Sequence, residues 1–150
     1  MIRRIHAITG VTAFLTIFTN WTSTIVSELF GATHTIVAVK QAIPWGFFLL
    51  IPALAAAGAS GFRMGGKSLR PLILAKKRRM LFIAGNGLLI LVPCAFFLSA
   101  FASSAHFGAR FYGVQLLELC AGAMNLTLIS LQIRDGVRLS RRPASHPALA

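Results

Sequence analysis

Glu118 is the residue of this sequence best placed to do chemistry. It stands on a stripe, Gln115, Glu118, Gly122, Asn125, Ile129 and Gln132, whose alternating spacing of three and four residues marks one face of a helix. That stripe runs through an apolar segment covering about 109–133. At a rise of about 1.5 Å per residue, Glu118 falls roughly 13 Å from the segment's start, near the middle of a hydrocarbon layer about 30 Å thick. An ionised carboxylate there costs about 2.5–3.5 kcal/mol, so the group must be protonated or paired. No lysine or arginine falls deep in any apolar segment. The expectation is therefore an uncharged acid, hydrogen-bonded to Gln115 or to threonines of the first segment, whose replacement by leucine would relieve a desolvation cost. The other acids are Glu28 and Asp135. A carboxylate pair would have to join Glu28 to Glu118 across different depths, which disfavours two-acid chemistry.

The first apolar segment carries a second stripe, Thr9, Thr12, Thr16, Thr19 and Ser23, widened at its far end by Asn20, Thr24, Ser27 and Glu28. Lipid offers polar groups no partner, so both stripes are expected to face the interior and to hydrogen-bond there. Asn20, Thr16, Ser23, Gln115, Asn125 and Asn86 join Glu118 as candidates for a polar, transport-capable interior. Asn86 and Asn125 should lie at one depth and bond to each other. Glu28 and Lys40 are expected to form an interfacial ion pair. Ala53, Ala57 and Gly61 are spaced as small-xxx-small pairs that admit a close helix, within the chain or in a second protomer. Leucine at Ala57 would clash with that helix.

Histidines raise a redox possibility. His34 and His106 each fall in a connection expected on the outer side, and His6 starts the first segment at the other side. Two histidines at one depth could ligate haem b. With Glu28, His34 and His106 could alternatively hold a divalent metal, or they could simply meet headgroups and water. No Cys/His zinc spacing, phosphate loop or Ser/His/Asp set occurs.

The elements that would position these residues are four apolar segments of about 6–30, 42–62, 80–102 and 109–133, each long enough to span a bilayer as a helix. They sit in a chain of 150 residues that is 56% hydrophobic and 12% charged, with a mean hydropathy of +0.75. Soluble domains carry about twice that charge. Residues 1–142 are read as one all-α, integral membrane, four-helix up-down-up-down bundle, and 143–150, with His146, as a flexible tail. Thirteen of the fifteen basic residues flank one side: Arg3 and Arg4, seven in the middle loop, and Arg134, Arg138, Arg141 and Arg142. Positive flanks stay inside, which places both termini in the cytoplasm of an inner-membrane, multi-pass protein. The same charge, above all Lys76, Lys77, Arg78 and Arg79, is suited to anionic lipid headgroups rather than to nucleic acid. The start, Met1-Ile2-Arg3-Arg4 and the long run behind it, reads as an uncleaved first helix. Trp45, Phe107, Phe111 and Tyr112 are expected at the outer interface. Cys94 and Cys120 should sit at different depths and remain thiols. Pro52 and Pro93 are expected to bend their helices.

Ile5-His6-Ala7-Ile8-Thr9-Gly10 resembles the S-x-x-H-R-I-T-G segment that opens the first membrane helix of succinate dehydrogenase cytochrome b anchors. The resemblance implies a quinone-linked membrane anchor. Arg3 stands at that motif's serine position and Ala7 at its arginine position, so its two quinone-contacting residues are replaced. The basic residues and His6 also look like the entry to four-helix cytochrome b561-type proteins, but no histidine lies inside the other three apolar segments to carry their two haems. Small multidrug transporters are similar in helix number and in using one membrane glutamate, which lies in their first helix. Three readings follow. The first is a non-catalytic subunit or anchor of an electron-transfer complex, haem b or quinone-linked. The second is a proton-coupled transporter acting as a homo-oligomer around Glu118. The third is a structural or assembly protein.

Overall fold

The structure, a computed structural model, describes residues 1–66 and 71–141, the last three as backbone. Lys67, Arg70, Arg142 and the expected tail at 143–150 lie outside the described residues. The described chain is all helical. It contains α1 (Ile2–Phe30), α2 (Thr33–Gly65), α3 (Pro71–Ser103) and α4 (Ala109–Arg141). Each helix starts earlier than the apolar segments suggest, or at the same residue, and α2 to α4 also end later, because polar turns continue the hydrogen-bond ladder beyond the apolar stretch. α2, α3 and α4 are long and apolar enough to cross a membrane, which identifies a membrane protein. α1 has the length, but its hydroxyl and amide side chains interrupt it, so it has no continuous stretch as apolar as those of the other three. The outward surface agrees with a lipid surrounding: Trp45, Phe48 and Leu89 are 73%, 76% and 77% exposed, and no soluble surface displays so many large apolar groups together.

α1 packs along α2 and against α4, and α3 packs against α2 and α4. The main core joins all four helices through Ala13 and Ile17, Ile43, Phe47, Leu50 and Ala53, Ile83 and Ala95, and Ile129. A second cluster of Leu98, Ala102 and Phe111 closes one end. Phe111 is fully buried, which corrects the expectation of an interfacial ring; Trp45 is outward as expected. Cys94 and Cys120 are free thiols.

α3 is not uniformly α-helical. Gly87–Leu91 forms a π-helical turn, followed by Pro93. Proline has no N–H and its ring crowds the carbonyl four residues earlier, here Leu89. Widening the helix over 87–91 relieves that crowding without ending it.

The small-residue face of α2 is filled from within the chain. Ala53 and Ala57 are buried, and His6 of α1 lies against Ala57. Its Nδ1 donates to the Ala57 carbonyl at 2.9 Å and is 3.1 Å from Ser60 Oγ. A Cβ added at Gly61 would meet the same ring at 3.1 Å. Ala57→Leu is accordingly expected to push α1 off α2 and to lower stability by about 1–2 kcal/mol; a denaturant titration of the detergent-solubilised protein measures this, and an unchanged midpoint would show the face to be loosely packed.

Candidate functional site

The centre of the polar interior is an ion pair. Lys40 Nζ lies 2.7 Å from Glu118 Oε2, and the two residues are 1% and 9% exposed. Lys40 also donates to Thr24 Oγ1 at 3.5 Å. This overturns two expectations, that Glu118 has no basic partner and that Lys40 pairs with Glu28 at the interface. The cause is where α2 begins. Residues 33–41 are its first turns, so Lys40 lies roughly 10 Å inside the helix, close to the depth of Glu118. A buried ion pair needs further hydrogen bonds to offset its desolvation, and Thr24 supplies one.

Around the pair the polar groups are incompletely matched. Glu28 Oε1 is buried without a hydrogen-bond partner, as are both amide atoms of Gln115, which is 4% exposed. Glu28 is within electrostatic range of Lys40 and Glu118 without bonding to either. Buried polar atoms without partners are rare and point to a function or a guest molecule.

Next to the pair lies a cavity of about 320 Å³, lined by residues of all four helices. Its walls are apolar, with Phe47, Leu50, Leu54 and Leu88 among them. Its polar lining is Asn20 and Thr24 of α1 and Glu118 of α4. Trp21 forms part of the wall and donates from Nε1 to the Leu119 carbonyl at 3.0 Å. The indole lies against Gly122, where an added Cβ would stand 2.8 Å from Trp21 Cδ1. Glycine at 122 is what lets α1 and α4 approach.

One turn further along α4, Asn86 Nδ2 donates to Asn125 Oδ1 at 2.9 Å and to the Ala121 carbonyl at 2.9 Å. Asn125 Nδ2 reaches the Ile83 carbonyl at 3.4 Å. The expected pair therefore forms, and it ties α3 to α4 just before the π-helical turn.

The α4 stripe is buried as expected from Gln115 to Ile129, with Gln132 half-buried, but the α1 stripe is not. The buried residues of α1 are Ala13, Ile17, Thr24 and Ser27. Thr19 is exposed, and Thr16, Ser23 and Asn20 are half-buried. Thr16 donates to the Thr12 carbonyl, so its own helix satisfies it and no inward partner is needed.

The opposite end of the bundle is held by polar contacts between α3 and α4. Asp135, 2% exposed, accepts from Arg79 at 2.6 Å and lies 3.5 Å from Arg134. Arg79 is thus committed to an intramolecular pair rather than to lipid alone. Asp135 was not singled out from sequence, although its being the one acid among so many basic residues was the available signal. Lys76 Nζ donates to the Gln132 carbonyl at 3.3 Å, and Gln132 Nε2 returns a bond to the Lys76 carbonyl at 2.7 Å. Lys77 donates to the Gly66 carbonyl at 2.5 Å, and Arg78 is exposed.

His6 does not join the other two histidines. His34 and His106 are exposed, and His106 rests edge-on against Phe101. His6 is bonded at Ala57, which is about 35 Å along α2 from His34. No group of three or more His, Cys, Asp or Glu side chains that could hold a metal gathers among the described residues, His34, His106 and Glu28 included, and neither His34 nor His106 lines the cavity beside the ion pair. The chain matches no family model, no curated protein and no solved structure.

Proposed function

We propose that this chain is a non-catalytic membrane subunit that binds a lipophilic quinone, with its four helices running up and down and its basic end, carrying both termini, in the cytoplasm of an inner membrane. The observation that carries this reading is an apolar cavity between four helices whose polar lining includes one member of a buried ion pair. Such a cavity admits a ring with a hydrocarbon tail, arriving from the lipid. Thr24 accepts from Lys40 and keeps its own hydroxyl hydrogen to donate to a ring carbonyl; the Asn20 amide is a second donor. Glu118 can hold or release a proton beside the ring. Electrons would come from the complex to which the subunit belongs.

Trp21 reports on the cavity. With Trp45 replaced by phenylalanine, it is the sole tryptophan. A short-chain benzoquinone titrated into that protein in detergent is expected to quench its fluorescence saturably. Thr24→Val should weaken binding about fivefold, the worth of one hydrogen bond of about 1 kcal/mol. Linear quenching that Thr24→Val leaves unchanged would defeat the reading.

A second reading has its own support. An ion pair that closes one side of a cavity can be opened by protonating Glu118, which suits a proton-coupled carrier acting as a homo-oligomer. Flux of a lipophilic cation into proteoliposomes, driven by a pH gradient and absent in Glu118→Gln, would favour it over quinone binding.

A further inference from the structure

A second cavity, of about 490 Å³, lies toward the basic end of the bundle and adjoins the first, sharing Leu54, Gly58, Phe62 and Met80 with it. Its composition changes along its depth. Toward the helix ends its lining holds Arg3 and His6 of α1, Lys76 and Lys77 of α3 and Gln132 of α4, with Met64 and Ile73 beside them. Further in, the lining is Val11 and Ala13, Leu54 and Ala57, Met80 and Ile83, and Ile129. Basic groups toward the helix ends and hydrocarbon walls behind them match one class of molecule, an anionic lipid with its headgroup at that end and a chain inside.

Three details sharpen the match. His6 is fixed by its Nδ1 bond to Ala57, and among the described residues its Nε2 has no partner and is left for a ligand. Gln132 Oε1 is a buried acceptor without a partner, and an anion alone cannot satisfy it. A headgroup that carries hydroxyls can, because a hydroxyl donates. Gly10 lines the cavity, and a Cβ added there would meet nothing within 4 Å, so the space beside it is open.

We infer that this cavity is a binding site for one anionic phospholipid with a hydroxyl-bearing headgroup, such as phosphatidylglycerol, whose phosphate is held by Arg3 and Lys77 and one of whose chains lies between α1, α2, α3 and α4. This differs from general attraction of a basic surface to a charged membrane, because it needs both the charges and the cavity. It does not rest on the quinone reading, although the two cavities share Leu54, Gly58, Phe62 and Met80.

Native mass spectrometry of the full chain, mixed with phosphatidylglycerol or with phosphatidylcholine of the same chains, tests it. The protein should retain one phosphatidylglycerol per chain, at least fivefold over phosphatidylcholine. The double variant Arg3→Ala, Lys77→Ala should reduce retention about tenfold. Gly10→Leu keeps every charge and places a bulky side chain in the open space beside Gly10, and should also reduce retention severalfold. Helical content and melting temperature of both variants serve as the folding check, which matters for Lys77 because it also bonds to the Gly66 carbonyl at the end of α2, with two further N–H donors left for a phosphate; Lys76 is left intact because it bonds to α4. Equal retention of the two lipids, or retention unaffected by Gly10→Leu in a folded variant, would overturn the site. So would complete displacement of the lipid by millimolar inorganic phosphate, which would make this a free-phosphate site.

Discussion

Glu118→Leu is expected to destabilise the protein by about 3–5 kcal/mol, because it strands the Lys40 ammonium in an apolar interior. The sequence alone suggested the opposite, a relief of desolvation, since no partner for the acid was visible. Geometry decides between the two: Lys40 is 1% exposed and 2.7 Å from the carboxylate. Lys40→Met should also destabilise the protein, by leaving the carboxylate without its partner. Replacing both, Lys40→Met with Glu118→Leu, removes both charges and puts apolar groups of similar size in their place. Such exchanges of buried pairs are often neutral, so the double variant should recover most of the loss. A double-mutant cycle on unfolding free energies in detergent is the measurement. Additive losses would show that the two residues do not act as a pair. The same double variant also separates stability from function: a folded protein that has lost quinone quenching or proton-coupled flux assigns the pair a role beyond holding the helices.

The fate of individual residues shows which parts of this arrangement could be read from sequence. The α4 stripe was legible because large polar groups, Gln115, Glu118 and Asn125, have no way to satisfy themselves on their own helix and must turn inward. The α1 stripe misled for the complementary reason. A threonine hydroxyl can bond to the carbonyl one turn back, as Thr16 does with Thr12, so its spacing says little about which way it faces. Ala13 and Ile17 mark the true inner face of α1. Lys40 was hidden by the start of α2. Ala32 is the N-cap and makes no side-chain capping bond, so the usual Ser, Thr, Asp or Asn signal at that position is missing. An error of about two turns there moves a charge from the surface to the interior. The π-helical turn over Gly87–Leu91 leaves no periodic signature at all, because it follows from local crowding by Pro93 rather than from a pattern.

Trp21 and Gly122, which both line the cavity beside the ion pair, bring α1 and α4 close together. Gly122→Val is expected to cost about 3 kcal/mol, at the upper end for overpacking a core. A Cβ at 122 would stand 2.8 Å from Trp21 Cδ1, and the indole is not a loose chain end that can swing away. Its Nε1 is held by the Leu119 carbonyl at 3.0 Å, so moving the ring also breaks a hydrogen bond. Two responses are open to the protein. If α1 separates from α4, the variant loses stability and Trp21 fluorescence shifts to the red as the ring meets a more polar surrounding. If the indole turns into the cavity instead, stability falls less, and the quinone or cation that the cavity would take is excluded. Trp21→Phe removes the part of the indole that carries the hydrogen bond and shrinks the ring, so it should make Gly122→Val tolerable. Combining the two variants and finding the cost undiminished would show that the valine strains the α4 backbone rather than its contact with α1.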